Sequence, residues 1–116
     1  MEIKHLKDPV YNFKLNLVTN CSYKDFVKFL LENEKYNIED YADGTIGMYV
    51  PIADKDVYFL YIKDTKNIPV IAHEILHLVF DMLKTKGISM DESSEEAYTY
   101  SFEYWLNLVL SKLSSK

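Results

Sequence analysis

The chain contains no arginine. All 13 of its basic residues are lysines, set against 18 acids, for a formal charge of −5. Nucleic-acid recognition draws on a basic face and on the bidentate fork of arginine, so no nucleic acid is expected as a partner. The same balance argues against an anionic membrane surface. A single cysteine, Cys21, cannot close an intramolecular disulfide, and no oxidising compartment is implied. With three glycines and three prolines the chain is neither low-complexity nor collagen-like. No apolar run approaches the ~20 residues of a spanning helix. The stretch from Met1 to Val10, charged at Glu2, Lys4, Lys7 and Asp8, lacks the apolar core of a secretory signal. A soluble, cytoplasmic protein is expected.

What remains is an ordinary globular composition: 116 residues, 48% hydrophobic and 27% charged, enough for one core in one domain, residues 1–116. Tyr11 to Val18 alternates apolar and polar residues as a half-buried strand does. Ser22 is a candidate N-cap for a helix to about Lys35, with Phe26, Phe29, Leu30 and Leu31 on its apolar face. Tyr41 to Gly44 has turn character. Thr45–Val50 and Val57–Lys63 read as two strands of a hairpin, turning at Pro51 and Asp54. A long helix from Asn67 to about Lys86 tolerates Pro69 in its first turn and stops at Gly87, and a last helix runs from about Ser94 to Leu113. The predicted order is β-α-β-β-α-α, an α+β domain with a small, mainly antiparallel sheet.

The second long helix carries His73-Glu74-Ile75-Leu76-His77. Residues four apart sit one turn apart on one helical face, so both imidazoles can reach a single ion at ~2.0–2.1 Å. Glu74 projects toward the place of a bound water, where a carboxylate can take the proton of the attacking water and pass it to the leaving group. The bland alternative is two hydrogen-bonded histidines on a helix face. Ligand type and availability point to Zn2+.

Catalytic zinc wants three protein ligands and an open position. The only other histidine is His5, far upstream, so the third ligand is expected to be a carboxylate. Asp81 lies two turns from His73, about 12 Å along the axis, too far to join both histidines but able to orient His77. The next helix opens with Asp91, Glu92, Ser93, Ser94, Glu95 and Glu96, and 18 residues separate His77 from Glu96, enough to turn and return. Glu96 is the leading candidate, with Glu95, Glu92 and His5 as alternatives. Ser93 to Glu96 also reads as a capping box in which Glu96 reaches back to Ser93. Tyr100 and Tyr98 are candidates for hydrogen-bonding a developing oxyanion, and also for plain packing among ten tyrosines. Cys21 has no histidine in any evident arrangement and reads as a small packed residue.

On these residues the chain resembles zincins of the gluzincin type, in which His-Glu-x-x-His on one helix is completed by a glutamate on the next. The histidine extension of the metzincins is absent, because Phe80 and Leu83 occupy its glycine and histidine positions. More closely, Ile71 to Trp105, about a third of the chain, is similar to small HExxH proteins encoded by phages and prophages. The shared features are Ala72 to His77, the Gly87-Ile88 turn and Glu95 to Tyr100. Two departures stand out: Tyr100 occupies a position where thermolysin-like enzymes carry an acid, and no second lobe is present.

The resemblance implies a minimal zincin core, a small sheet with an exposed edge strand packed on the metal-bearing helix. It implies a metallopeptidase, a hydrolase in which His73, His77 and Glu96 hold zinc and Glu74 is the general base, acting on a peptide or protein inside a bacterial host cell. The alternative is a metal-stabilised binding module without turnover, a phage accessory or host-interaction protein.

Overall fold

The segment Val57–Ile62, Val-Tyr-Phe-Leu-Tyr-Ile, has almost no polar face. Such a run suits a strand covered on both sides. In the computed structural model of the chain, which describes residues 1–38 and 44–114, this strand lies inside a four-stranded sheet. The elements are β1 (Glu2–Asp8), β2 (Phe13–Thr19), α1 (Tyr23–Glu34), β3 (Gly47–Ile52), β4 (Val57–Ile62), α2 (Ile68–Thr85) and α3 (Glu95–Ser114), with a short 3₁₀ turn at Ala53–Lys55. The sheet order is β1-β2-β4-β3.

The expected element order is corrected here. The order is β-β-α-β-β-α-α, because Glu2–Asp8 forms an additional strand paired antiparallel with β2. The sheet is mixed: β2 and β4 run parallel, whereas β1–β2 and the expected β3–β4 hairpin are antiparallel, so that two of the three pairings keep the mainly antiparallel character. β1 escapes sequence reading because its only buried apolar side chain is Leu6. As an edge strand it needs little more. Pro51 falls inside β3 rather than in the turn, opposite Tyr58. β3 is the other edge, where a proline costs no ladder bond.

The sheet separates two cores. On one face Val18, Val50, Phe59 and Tyr61 meet Tyr23, Phe26 and Leu30 of α1. Phe26 stacks on Tyr61 with ring centroids 5.0 Å apart. Tyr23, not Leu31, completes the buried stripe of α1, and Leu31 stays exposed. On the other face Leu15, Leu17, Leu60 and Ile62 meet Ile71, Ile75, Leu78 and Met82 of α2 and Trp105 and Val109 of α3. Ser22 caps α1 by accepting from the amide of Asp25, as expected. Asn67 caps α2 through the amide of Val70, and Gly87 ends the segment at φ +80°. Of the turn expected at Tyr41 to Gly44, Gly44 lies in a turn and Tyr41 to Asp43 lie outside the described residues.

Candidate metal centre

The buried stripe of α2, Ile71, Ile75, Leu78, Val79, Met82 and Leu83, sets the rotation of the helix. His73 and His77 are thereby left on the exposed side, and Glu74 is turned toward edge strand β3. The two histidine Nε2 atoms lie 3.2 Å apart. Two ligands of one tetrahedral ion at ~2.0–2.1 Å would lie about 3.3–3.4 Å apart, so the pair needs almost no adjustment to share an ion. One N–H···N hydrogen bond between neutral rings would also suit this spacing. The Glu74 carboxylate completes a group whose ligand atoms lie within 4.8 Å of one another.

Glu74 is held by β3. Its Oε1 accepts the backbone N–H of Tyr49 at 2.7 Å, and its Oε2 lies 3.7 Å from His73 Nε2. That N–H is available because Lys63 N–H bonds the carbonyl of Ile46. In the alternating ladder, Gly47, Tyr49 and Pro51 therefore turn their backbone polar groups away from β4. The same tyrosine donates its hydroxyl to Asp81 Oδ2 at 2.7 Å. Tyr49 thus fastens the edge strand to α2 at two points. Burial first, and the Asp81 carboxylate second, push its phenol far above the usual tyrosine range. The expectation that Asp81 orients His77 is corrected: Asp81 is engaged by Tyr49.

Gly47 permits the close approach of β3 to α2. A Cβ there would stand 2.7 Å from Val70 Cγ1 and 3.5 Å from Glu74 Cγ. Sequence reading missed both Gly47 and Tyr49. A glycine opening a strand is a recognised sign of close backbone approach, but nothing local distinguishes Tyr49 from nine other tyrosines. Between β3 and α2 runs a groove of about 450 Å³ lined by Gly47, Tyr49, Pro51, Glu74, His77 and Asp81, among others. A larger cavity lies elsewhere, against the turn between β1 and β2. The convergence of two imidazoles and a carboxylate, not cavity size, singles out the α2 groove.

The remaining candidates are placed as follows. His5 sits on β1, the far edge of the sheet, with Nδ1 2.6 Å from Asn16 Oδ1. It alternates with Leu6, which faces α2 and α3, so it belongs to the opposite face and cannot be a ligand. Glu96 and Glu95 are exposed in the first turn of α3, and neither joins the group of His73, Glu74 and His77. Glu96 makes no capping bond to Ser93; the Asp91 carboxylate accepts from the amides of Ser93 and Ser94 instead. Those serine bonds hold the Asp91 carboxyl below its usual range. α3 meets α2 where Tyr98 packs on Phe80, ring centroids 5.3 Å apart. At 3.6 residues per turn, Glu95 lies roughly 60° and Glu96 roughly 160° around the helix from Tyr98. Tyr98 is buried, with its hydroxyl given to the carbonyl of Ile88. Tyr100 is exposed and lines the separate large cavity. The Cys21 thiol is half-buried and raised by burial, as an unreactive cysteine is.

Comparison with protein-family models, with curated proteins and with solved structures gave no match. The likeness to zincins therefore rests on the residues quoted above, and a phage or prophage origin gains no support. What stands plainly is a small α+β domain with a His-Glu-x-x-His group able to hold a metal ion. Among the described residues, no helix is long and apolar enough to cross a membrane.

Proposed function

We propose that this protein is a zinc-dependent, metallopeptidase-like hydrolase whose site is the groove between β3 and α2. The observation that carries this reading is the pairing of two Nε2 atoms 3.2 Å apart with a Glu74 carboxylate anchored through one oxygen only. When bound, zinc supplies Lewis acidity to a water and to a substrate carbonyl. Every other task falls to the chain. His73 and His77 hold the ion. Glu74, pinned at Oε1, keeps Oε2 on the imidazole side to take the proton of the attacking water and deliver it to the departing amine. The outward row of β3, with the carbonyls of Gly47 and Tyr49, offers an edge on which an extended peptide can lie as an added strand.

His73, Glu74 and His77 lie together without Glu95 or Glu96, and the acidic first turn of α3 is taken as the source of a third ligand once an ion is bound. Glu96 is the spacing-based choice, and the helical position of Glu95 relative to Tyr98 favours Glu95. Metal content of protein purified without added metal tests this for wild type beside His77→Ala, Glu95→Gln and Glu96→Gln. About one zinc per chain is expected in wild type and none in His77→Ala. The glutamine variant that loses zinc identifies the third ligand. No zinc in any sample, even after it is supplied, leaves a hydrogen-bonded histidine pair and ends the enzyme reading.

A second reading, a metal-stabilised binding module, draws on the shallowness of the groove and the exposure of His73. Glu74→Gln separates the two. Loss of peptide-library cleavage with zinc retained supports catalysis, and undiminished biological activity in that variant supports the module.

A further inference from the structure

A cavity of about 700 Å³ opens between the turn joining β1 to β2 and the outer face of α3. Its volume lies in the usual range for small-molecule sites. Tyr11, Tyr100 and Tyr104 contribute aromatic wall, and the charged side chains that line it, Asp8 and Glu103, are both acids. No lysine or histidine of the described residues faces it.

Two of its polar groups are unusual. Asp8 is 3% exposed and Ser101 is 5% exposed. Asp8 Oδ1 accepts the amides of Val10 and Tyr11. Its Oδ2 and the Ser101 hydroxyl have no hydrogen-bond or ion-pair partner among the described residues. Trp105 Nε1 is the single fully enclosed side-chain polar atom without a partner in that set, so the two oxygens open onto the cavity. A cation entering the cavity would meet a carboxylate oxygen and a hydroxyl that no protein group occupies, and tyrosine rings add favourable electrostatics for one.

We infer that this cavity binds a small organic ammonium ion, a protonated primary amine carried on an apolar body. The ammonium group sits at Asp8 Oδ2 and Ser101, and the apolar body lies among Tyr11, Tyr100 and Tyr104. Glu103 adds negative potential at the mouth. This site shares no lining residue with the β3–α2 groove and requires no metal.

Titration of the metal-free full chain with benzylamine at neutral pH, followed by calorimetry and by backbone amide spectra, tests the assignment. Saturable one-to-one binding is expected, with the amides of Val10 and Tyr11 among the shifted signals. Benzyl alcohol, the neutral analogue of matching size, should bind at least roughly tenfold more weakly. Asp8→Asn preserves an acceptor for both turn amides while deleting the charge, and should weaken benzylamine binding by a similar factor. Tyr100→Ala, at a position 67% exposed, should fold normally and weaken binding several-fold. If Asp8→Asn does not fold, Tyr100→Ala and Glu103→Gln carry the test. Equal affinity for the alcohol, unchanged affinity in the variants, or no saturable binding would each overturn the proposal.

Discussion

The two faces of the sheet are sealed in different ways. Toward α1 the contacts are aromatic: Phe26 between Tyr61 and Phe59, and Tyr23 on Tyr61. The polar groups there are spent internally, as when Tyr61 gives its hydroxyl to the carbonyl of Cys21. Toward α2 and α3 the aliphatic stripe of α2 is joined by Phe13, Tyr58 and Trp105, and polar groups cluster at the sheet edge, where Tyr49 joins Glu74 and Asp81. On the α1 face, among the described residues, there is no candidate metal group. The other couples the position of a strand to the position of a reactive carboxylate.

Four substitutions challenge that division. The largest effect is expected from Phe26→Ala, which empties a fully buried aromatic site and should cost about 3–5 kcal/mol. Zinc uptake by the folded fraction should be unchanged. A folded variant that fails to take up zinc would show that the two faces are coupled.

Gly47→Ala acts on the other face. Its methyl would overlap Val70 Cγ1 and push β3 from α2, for roughly 1–3 kcal/mol in denaturant unfolding. The hydrogen bond of the Tyr49 amide to Glu74 should weaken with it, and amide exchange at Tyr49 should accelerate. Slow exchange at that amide in the variant would mean that β3 is not seated by Gly47.

The third substitution turns on pH. Burial pushes the Tyr61 phenol up to about 12 from an ordinary value of 10.0. A group whose folded value is raised stabilises fully below its unfolded value and loses that contribution as pH rises toward its folded one. Wild-type stability should therefore fall between pH 10 and about 12 by on the order of 2 kcal/mol from this residue. Tyr61→Phe should flatten that decline by about one proton's slope. Tyr49, raised in the same direction on the α2 side, keeps a residual slope in that variant. An unaltered profile would remove Tyr61 from the α1-side account.

Ser22→Ala is expected to be the mildest, about 1 kcal/mol for one lost N-cap bond, with no change in zinc content.

Much of this could be read from local pattern. The apolar alternation of β2, the caps at Ser22 and Asn67, and the stop at Gly87 depend on residues within one turn or one strand of each other. β1 could not be read that way, since it is held by seven cross-strand pairs to β2 rather than by an apolar face of its own. The role of Glu96 as a cap was also plausible locally, and it failed because Asp91 reaches the same amides first.

The sequence by itself determined that His73, Glu74 and His77 share one helix at metal-binding spacing, because i, i+4 geometry is a property of the helix alone. Tertiary structure decided that Tyr49 anchors Glu74, that His5 lies across the sheet, and that neither Glu95 nor Glu96 joins the two histidines. Those outcomes depend on which strand lies at the sheet edge and how α3 packs against α2. Both are set by long-range burial, which no short stretch of residues encodes.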